Sequence, residues 1–290
     1  MSFLLFYFFL PIIYLISILP FRILYFLSDI TRFFLFDIFK YRKDVILQNL
    51  KNSFPEKSDK EIKTISKKAQ QSFCDLMFEI IKLLTISKKT LQQRVQIGDF
   101  TCFQKYYTAK QSVIVVMGHR CNWEWAGARF TMEGYHPLYV IYKPLKNKAM
   151  DKLVARMRTR FGNKIYERDA SFRNMVRDKN KLTATAFIAD QTPQPNNAYW
   201  LTFLNQDTPV FVGTEKIAKK LNYPVIFVSM QKIKRGYYQL EAEIICDKPS
   251  ESVDGEITSL HTKRLEKDII NDPAPWFWTH KRWKHKRYNL

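Results

Sequence analysis

Apolar and polar positions fall into three regimes along the chain. Phe3 to Phe21 is apolar except for Ser17, with Pro11 and Pro20 inside it, and the apolar pattern resumes as Ile23–Leu27 and Phe33–Phe36 among Asp29, Arg32, Asp37 and Lys40. From 41 to 95 the spacing is helical. Val45, Leu47 and Leu50 precede Phe54-Pro55, Ser58 and Glu61 have the spacing of a capping box, and Phe73, Leu76, Met77, Ile80, Leu83 and Leu84 mark a second helix. From 111 onward, short apolar runs at 113–117, 137–142, 182–189 and 224–229 alternate with helical candidates at 123–133, 148–161, 169–178 and 213–221. That alternation predicts an α/β fold with a central, mostly parallel sheet flanked by helices, and Gln239–Ile245 adds an antiparallel strand that makes the sheet mixed.

The expected organisation is a hydrophobic anchor over 1–40 and one catalytic-type domain over 41–290, divided into a helical part (41–110) and an α/β core (111–290). The first apolar stretch is barely long enough for a hydrocarbon core of about 30 Å. Its prolines argue for a kinked span or a segment lying in the interface. Arg32, Lys40, Arg42 and Lys43 follow it, which would keep the remainder on the cytoplasmic side. Neither a basic n-region nor a small-residue cleavage site marks a secretory signal.

Charge and cysteine usage narrow the partners. The chain of 290 residues has 46% hydrophobic and 15% aromatic residues, which excludes general disorder. Its 47 Lys and Arg against 27 acidic residues leave a net charge of +20, which implies an anionic partner: nucleic acid, an anionic membrane, or a phosphorylated or acidic substrate. The greasy N-terminus selects the membrane among these. Cys74, Cys102, Cys121 and Cys246 are scattered without a C-x-x-C pair, which fits a reducing compartment and argues against a zinc ribbon or disulfide framework. The C-terminal run Pro275–Lys284 mixes tryptophans with cations, as a headgroup layer or single-stranded nucleic acid would accept. His280 and His285 lack the further ligands a metal site needs.

The chemistry centres on Val113–Trp125. A buried strand runs to Met117, Gly118 makes a turn, His119 stands on it, and Asn122 caps the helix in whose first turn Glu124 lies. A regular helix would turn the His119 and Glu124 side chains about 140° apart, whereas a strand-to-helix turn can bring them together. Glu124 would then hold one imidazole nitrogen and leave the other free as a general base. Cys121 beside it reads as a small apolar spacer. Asp190, after the run 182–189, is a second acid for the same sheet edge, as is the Tyr142-Lys143 loop. Arg156, Arg158 and Arg160 sit on one predicted helix, and their guanidinium forks suit phosphate or carboxylate groups. The candidate substrate-binding residues are therefore Arg158, Arg160, Asp190, Lys143 and Asn122, beside the catalytic candidates His119 and Glu124.

In this order the motifs resemble a known family. They are His119-x4-Glu124; Tyr41-Arg42-Lys43 with Asn49-Leu50 and Asn52–Pro55; Arg160-Phe161-Gly162; Asp190-Gln191; Phe211 to Thr214; and Trp278-x-His280-x-Arg282-Trp283. The chain resembles the lysophospholipid acyltransferase-like enzymes that add late acyl chains in lipid A biosynthesis, and the resemblance covers nearly all of it. It implies a glycerol-phosphate-acyltransferase-like fold and a monomeric enzyme on the cytoplasmic face of the inner membrane, anchored by its N-terminus. The enzyme would take an acyl chain from acyl carrier protein or acyl-CoA to a hydroxyl of a lipid A precursor, with no metal, no resident cofactor and no nucleic acid. His119 would be the base and Glu124 its orienting partner. Lys143 stands where many relatives have arginine. The alternatives are an acyltransferase for another acceptor, such as an amino-acid lipid or lysophospholipid, and a non-enzymatic basic protein that binds membrane or nucleic acid.

Overall fold

A computed structural model describes residues 3–287. Helices α1 (Phe3–Ile18), α2 (Phe21–Arg32), α3 (Lys43–Ser53), α4 (Asp59–Lys82) and α5 (Lys88–Arg94) lead to a short strand, β1 (Val95–Ile97). Then follow α6 (Thr101–Thr108), β2 (Val113–Met117), α7 (Trp123–Thr131), β3 (Leu138–Tyr142), α8 (Lys148–Thr159), β4 (Lys164–Glu167), α9 (Ser171–Arg177) and β5 (Ala184–Ile188). The chain closes with β6 (Ala198–Phe203), β7 (Gln206–Phe211), α10 (Gly213–Leu221), β8 (Val225–Lys234), β9 (Tyr237–Cys246) and α11 (Glu256–Asn271).

Seven strands form one sheet in the order β1-β9-β8-β2-β5-β3-β4. All neighbouring pairs are parallel except β8 with β9, the antiparallel addition expected from the alternation at 239–245. β2 lies inside the sheet, and all five of its residues are buried. Val113, Val115 and Met117 join the core on one face while Ile114 and Val116 join the core on the other, the period-2 division of a strand covered on both sides.

Five elements escape the sequence pattern. β1 lies within the stretch read as helical and belongs to the sheet, and β4 is a short edge strand of mixed polarity. β6 and β7 form a separate hairpin whose turn residues, Leu204 and Asn205, both sit at positive φ (50° and 60°), as a two-residue hairpin loop requires. No glycine announces that turn. α11 buries Ile257, His261, Leu265 and Ile269 along one stripe, and a histidine and flanking threonines hide its apolar period.

The N-terminal helices are docked on the domain by polar contacts. Lys82 on α4 donates to the carbonyls of Ser17 (2.8 Å), Ile18 (3.2 Å) and Leu19 (2.8 Å), meeting the negative end of α1. Ser28 on α2 donates to Asp75 (2.7 Å), and Arg235, in the β8–β9 turn, pairs with both Asp29 and Asp75. Among the described residues no helix is long and apolar enough to cross a membrane. With 16 residues, α1 reaches about 24 Å, short of a hydrocarbon core of about 30 Å. The expected membrane-anchoring helices are therefore not supported as a span: Pro20 lies in the break between α1 and α2, and the chain folds back on α4.

The C-terminal run is also corrected. Trp276, Trp278 and Arg282 are 5%, 1% and 1% exposed, so they belong to the core rather than to a headgroup or nucleic-acid surface. Asn49 donates to the carbonyls of Trp278 (3.0 Å) and His280 (3.1 Å), and Arg42 to that of Thr279 (2.9 Å). The Tyr41–Pro55 motif thus staples this segment against the sheet. No group of three or more metal-ligating side chains occurs among the described residues.

Candidate active site

Two adjacent parallel strands build the centre of the site. β2 and β5 pair in register from Val113↔Ala184 to Met117↔Ile188. Two residues beyond each strand end stand His119 and Asp190, side by side at the carboxyl edge where α/β sheets collect ligands. The His119 Nδ1 and Asp190 Oδ1 atoms are 2.5 Å apart, and the backbone N–H of His119 donates to Asp190 Oδ2 at 2.8 Å. The indole N–H of Trp276 donates to the same Oδ2 at 2.8 Å.

Burial raises the cost of charge on Asp190. The facing His119, with its two bonds to the carboxylate, and the Trp276 N–H outweigh that cost and hold the Asp190 pKa down at about 2. An ionised Asp190 accepts the Nδ1 proton, which fixes the tautomer and leaves Nε2 of the part-exposed imidazole available. The amide nitrogen of Gln191 is 3.5 Å from Nε2. Trp123 packs edge-on against the ring at 4.7 Å between centroids, with Phe277 beyond it at 6.3 Å.

The turn that presents His119 is tightly held. A Cβ on Gly118 would lie 2.5 and 2.6 Å from the Leu265 methyls and 3.2 Å from Asp190 Oδ2, so only glycine lets the chain pass that close. Arg120 forms a bridge with Trp276 and donates to the Met230 carbonyl at 2.5 Å, and the backbone N–H of Cys121 donates to the Pro275 carbonyl at 3.0 Å. Burial pushes the Cys121 thiol up to about 12, which makes it inert, in keeping with a spacer.

The expected pairing of His119 with Glu124 is not formed. Glu124 points to Arg158, whose Nε donates to its two carboxylate oxygens at 3.0 and 2.9 Å, with Nη2 closing the fork. Burial works against the Arg158 charge, but the bonds to Glu124 win and hold its pKa above the usual value. The guanidinium also lies 4.9 Å over the Tyr142 ring. The reason for the correction is register. Glu124 leaves on α7 toward α8, while the neighbouring strand delivers Asp190 to the imidazole from 71 residues away.

Glu124 and Arg158 line a cavity of about 60 Å³ together with Trp123, Gly127, Phe130, Leu138 and Ile188. The walls are mostly apolar and the charges confined to that ion pair. Trp123 belongs both to this wall and to the packing of His119, so one indole links the cavity to the imidazole.

The other sequence candidates divide. Asn122 caps α7 as expected, accepting from the Trp125 N–H at 3.0 Å, but it is fully buried and its amide donates to Glu79 at 3.0 Å, so its polar groups are used by the fold and not by a substrate. Arg160 donates to the carbonyls of Leu83 (3.1 Å) and Ile86 (2.6 Å), a tie between α8 and the end of α4 rather than a clamp in the cavity. Lys143 is exposed on the loop after β3 and does not line the cavity. Asp190 faces His119 itself instead of an open substrate pocket. Trp276, which sequence reasoning assigned to a surface, belongs to the site.

Fold and site together are those of an α/β enzyme with a histidine–carboxylate pair at the sheet edge beside an apolar cavity. The chain belongs to the bacterial lipid A biosynthesis acyltransferase family, whose model matches residues 2–285. It is 22% identical over 234 residues to a lipid A biosynthesis acyltransferase of Haemophilus influenzae, covering 79% of this chain and 72% of that relative. The chain is thus an acyltransferase, as its motifs implied, and the non-enzymatic reading is set aside.

Proposed function

We propose that the protein transfers a fatty acyl chain from an acyl thioester, carried by acyl carrier protein or coenzyme A, to a hydroxyl of a lipid A precursor. His119 Nε2 removes the proton of the acceptor hydroxyl as its oxygen attacks the thioester carbonyl. Asp190 holds the imidazole and offsets the charge it gains. The thiolate leaves and takes up a proton, which His119 can return. A thioester is already activated, so orientation, a base and charge stabilisation suffice, and the reaction needs no resident cofactor or metal. The observation that supports this most directly is Trp123: the same indole packs on the imidazole and walls the apolar cavity, so an alkyl chain held there brings its carbonyl near Nε2.

Glu124 and Arg158 form the polar gate of that cavity. Arg158, kept charged by Glu124, lines that cavity and attracts the anionic parts of donor or acceptor. The N-terminal helices lie in the membrane interface on the cytoplasmic side and do not span it. Their outward residues support this, with Phe8 70%, Leu15 65%, Ile18 64% and Phe26 62% exposed. A single chain contains the whole pair and cavity, so the monomer is the working unit.

The test uses purified protein in lipid vesicles with acyl–acyl carrier protein or acyl-CoA and a lipid A precursor, with products followed by mass spectrometry. Wild type gives a product one acyl chain heavier, and His119→Ala loses about 10²- to 10⁴-fold in rate, with a melt that stays cooperative although lowered by the buried Asp190 left without its partner. Full turnover by His119→Ala would end the mechanism. Transfer to a lysophospholipid or amino-acid lipid but not to the lipid A precursor would move the acceptor to the alternative.

A further inference from the structure

Asp190 lines a second cavity, of about 10 Å³, together with His261 and Thr262 of α11 and Arg282 of the C-terminal segment. That is room for one water molecule. Arg282 is 1% exposed, and its Nε and Nη1 have no hydrogen-bond partner among the described residues. Nε2 of His261, 6% exposed, is likewise without one. Buried donors of this kind are normally satisfied by protein or by ordered water. The Arg282 backbone is pinned beside the Asp190 loop, because Thr192 donates to its carbonyl at 2.8 Å.

We propose that Arg282 is a positioning residue of the His119–Asp190 pair: its guanidinium, linked to Asp190 through one water in this cavity, balances the buried carboxylate and sets the pH at which His119 becomes a free base. The consequence for catalysis rests on the reading of His119 given above.

The groups that face Asp190 define the electrostatics. His119 and the Trp276 N–H bond it directly, His261 approaches from α11, and His280 and Arg282 come from the C-terminal segment. Burial pushes His261 down to about 4, so at neutral pH it is uncharged, and Glu215 beside it is engaged by Gly255 and Thr258 of α11. Burial also lowers His280, which Lys284 faces as well. Arg282 is drawn down to about 10 by burial, with Asp190 opposing, and remains cationic. It is the permanent cation of the set. A cation there disfavours an imidazolium on His119, so its removal lets His119 hold a proton to higher pH.

The experiment follows the ring signals of ¹³Cε1-histidine-labelled full-length protein by NMR against pH, with His119 assigned from His119→Gln. In Arg282→Gln the His119 midpoint moves up by about one unit. Arg282→Lys, which keeps the charge, stays near wild type. An unchanged midpoint in folded Arg282→Gln overturns the proposal. The wild-type chain gives a second readout: the ¹⁵Nε signal of Arg282, assigned from its loss in Arg282→Lys, follows the same midpoint as the His119 ring. Indifference of that signal to pH across the midpoint overturns the proposal even if Arg282→Gln fails to fold. Neither readout uses substrate, so a negative result leaves the acyl-transfer reading to its own assay.

Discussion

Asp190→Asn tests the central pair with a nearly isosteric change. Oδ2 of Asp190 accepts two N–H donors, from the His119 backbone and the Trp276 indole, each at 2.8 Å, while Oδ1 faces Nδ1 of His119 at 2.5 Å. An asparagine must keep its carbonyl oxygen on the side with two donors, because turning the amide sets its NH₂ against both of them. Its NH₂ therefore faces Nδ1, which must give up its proton and become the acceptor. The ring proton moves to Nε2, the atom required as base. A correctly placed base contributes about 10²- to 10⁴-fold, so a loss near 10³-fold, about 4 kcal/mol of barrier, is expected in kcat. The assay is the initial rate at saturating thioester donor and lipid acceptor, with a thermal melt as folding control. Asp190→Asn combined with His119→Ala should lose little more than either alone, because the two act as one unit. An Asp190→Asn enzyme within about tenfold of wild-type kcat, or one altered only in KM, would refute the tautomer argument.

Three further outcomes follow from the same contacts. Asp190 has a folded-state pKa of about 2, below the ordinary value near 3.9, so its contribution of about 2.6 kcal/mol is fully present above pH ~4 and is lost as pH falls through about 2; urea unfolding over that range reads it as a loss of stability toward acid that is larger in wild type than in Asp190→Asn. Glu124→Gln leaves the Arg158 guanidinium, 22% exposed, without its counter-ion and costs about 2 kcal/mol in denaturant unfolding, less than a fully buried pair would; Glu124→Leu combined with Arg158→Met regains most of that stability but not the activity. Gly118→Ala drives a methyl into Leu265 and toward Asp190 Oδ2, costs about 1–3 kcal/mol by overpacking and lowers kcat; Leu265→Ala in the same chain relieves the overpacking, and a Gly118→Ala melt equal to wild type would contradict the contact.

The alternation of apolar runs with helical periods determined the class of fold. The strands at 113–117 and 138–142, the helix from Trp123, the capping box at Ser58 and Glu61 and the antiparallel strand at 237–246 were all legible, because each depends on local period and end chemistry. His119 at the end of a buried strand was legible for the same reason. Its partner was not. Glu124 is near in sequence, but Asp190 becomes adjacent only through the parallel register of β2 and β5, a non-local pairing that no spacing along the chain encodes. Trp276 and Arg282 read as interfacial because a tryptophan–cation run has the same composition on a headgroup layer as under a staple from Asn49 and Arg42. The apolar N-terminus likewise read as an anchor, yet whether it crosses, lies flat or docks depends on where the chain folds back and on what Lys82 and Arg235 grasp. The sequence by itself thus determined the chemistry available, an imidazole on a turn amid apolar strands and many cations. Tertiary structure decided which carboxylate meets that imidazole and which cation stands behind it, since both are questions of distance between segments far apart in the chain.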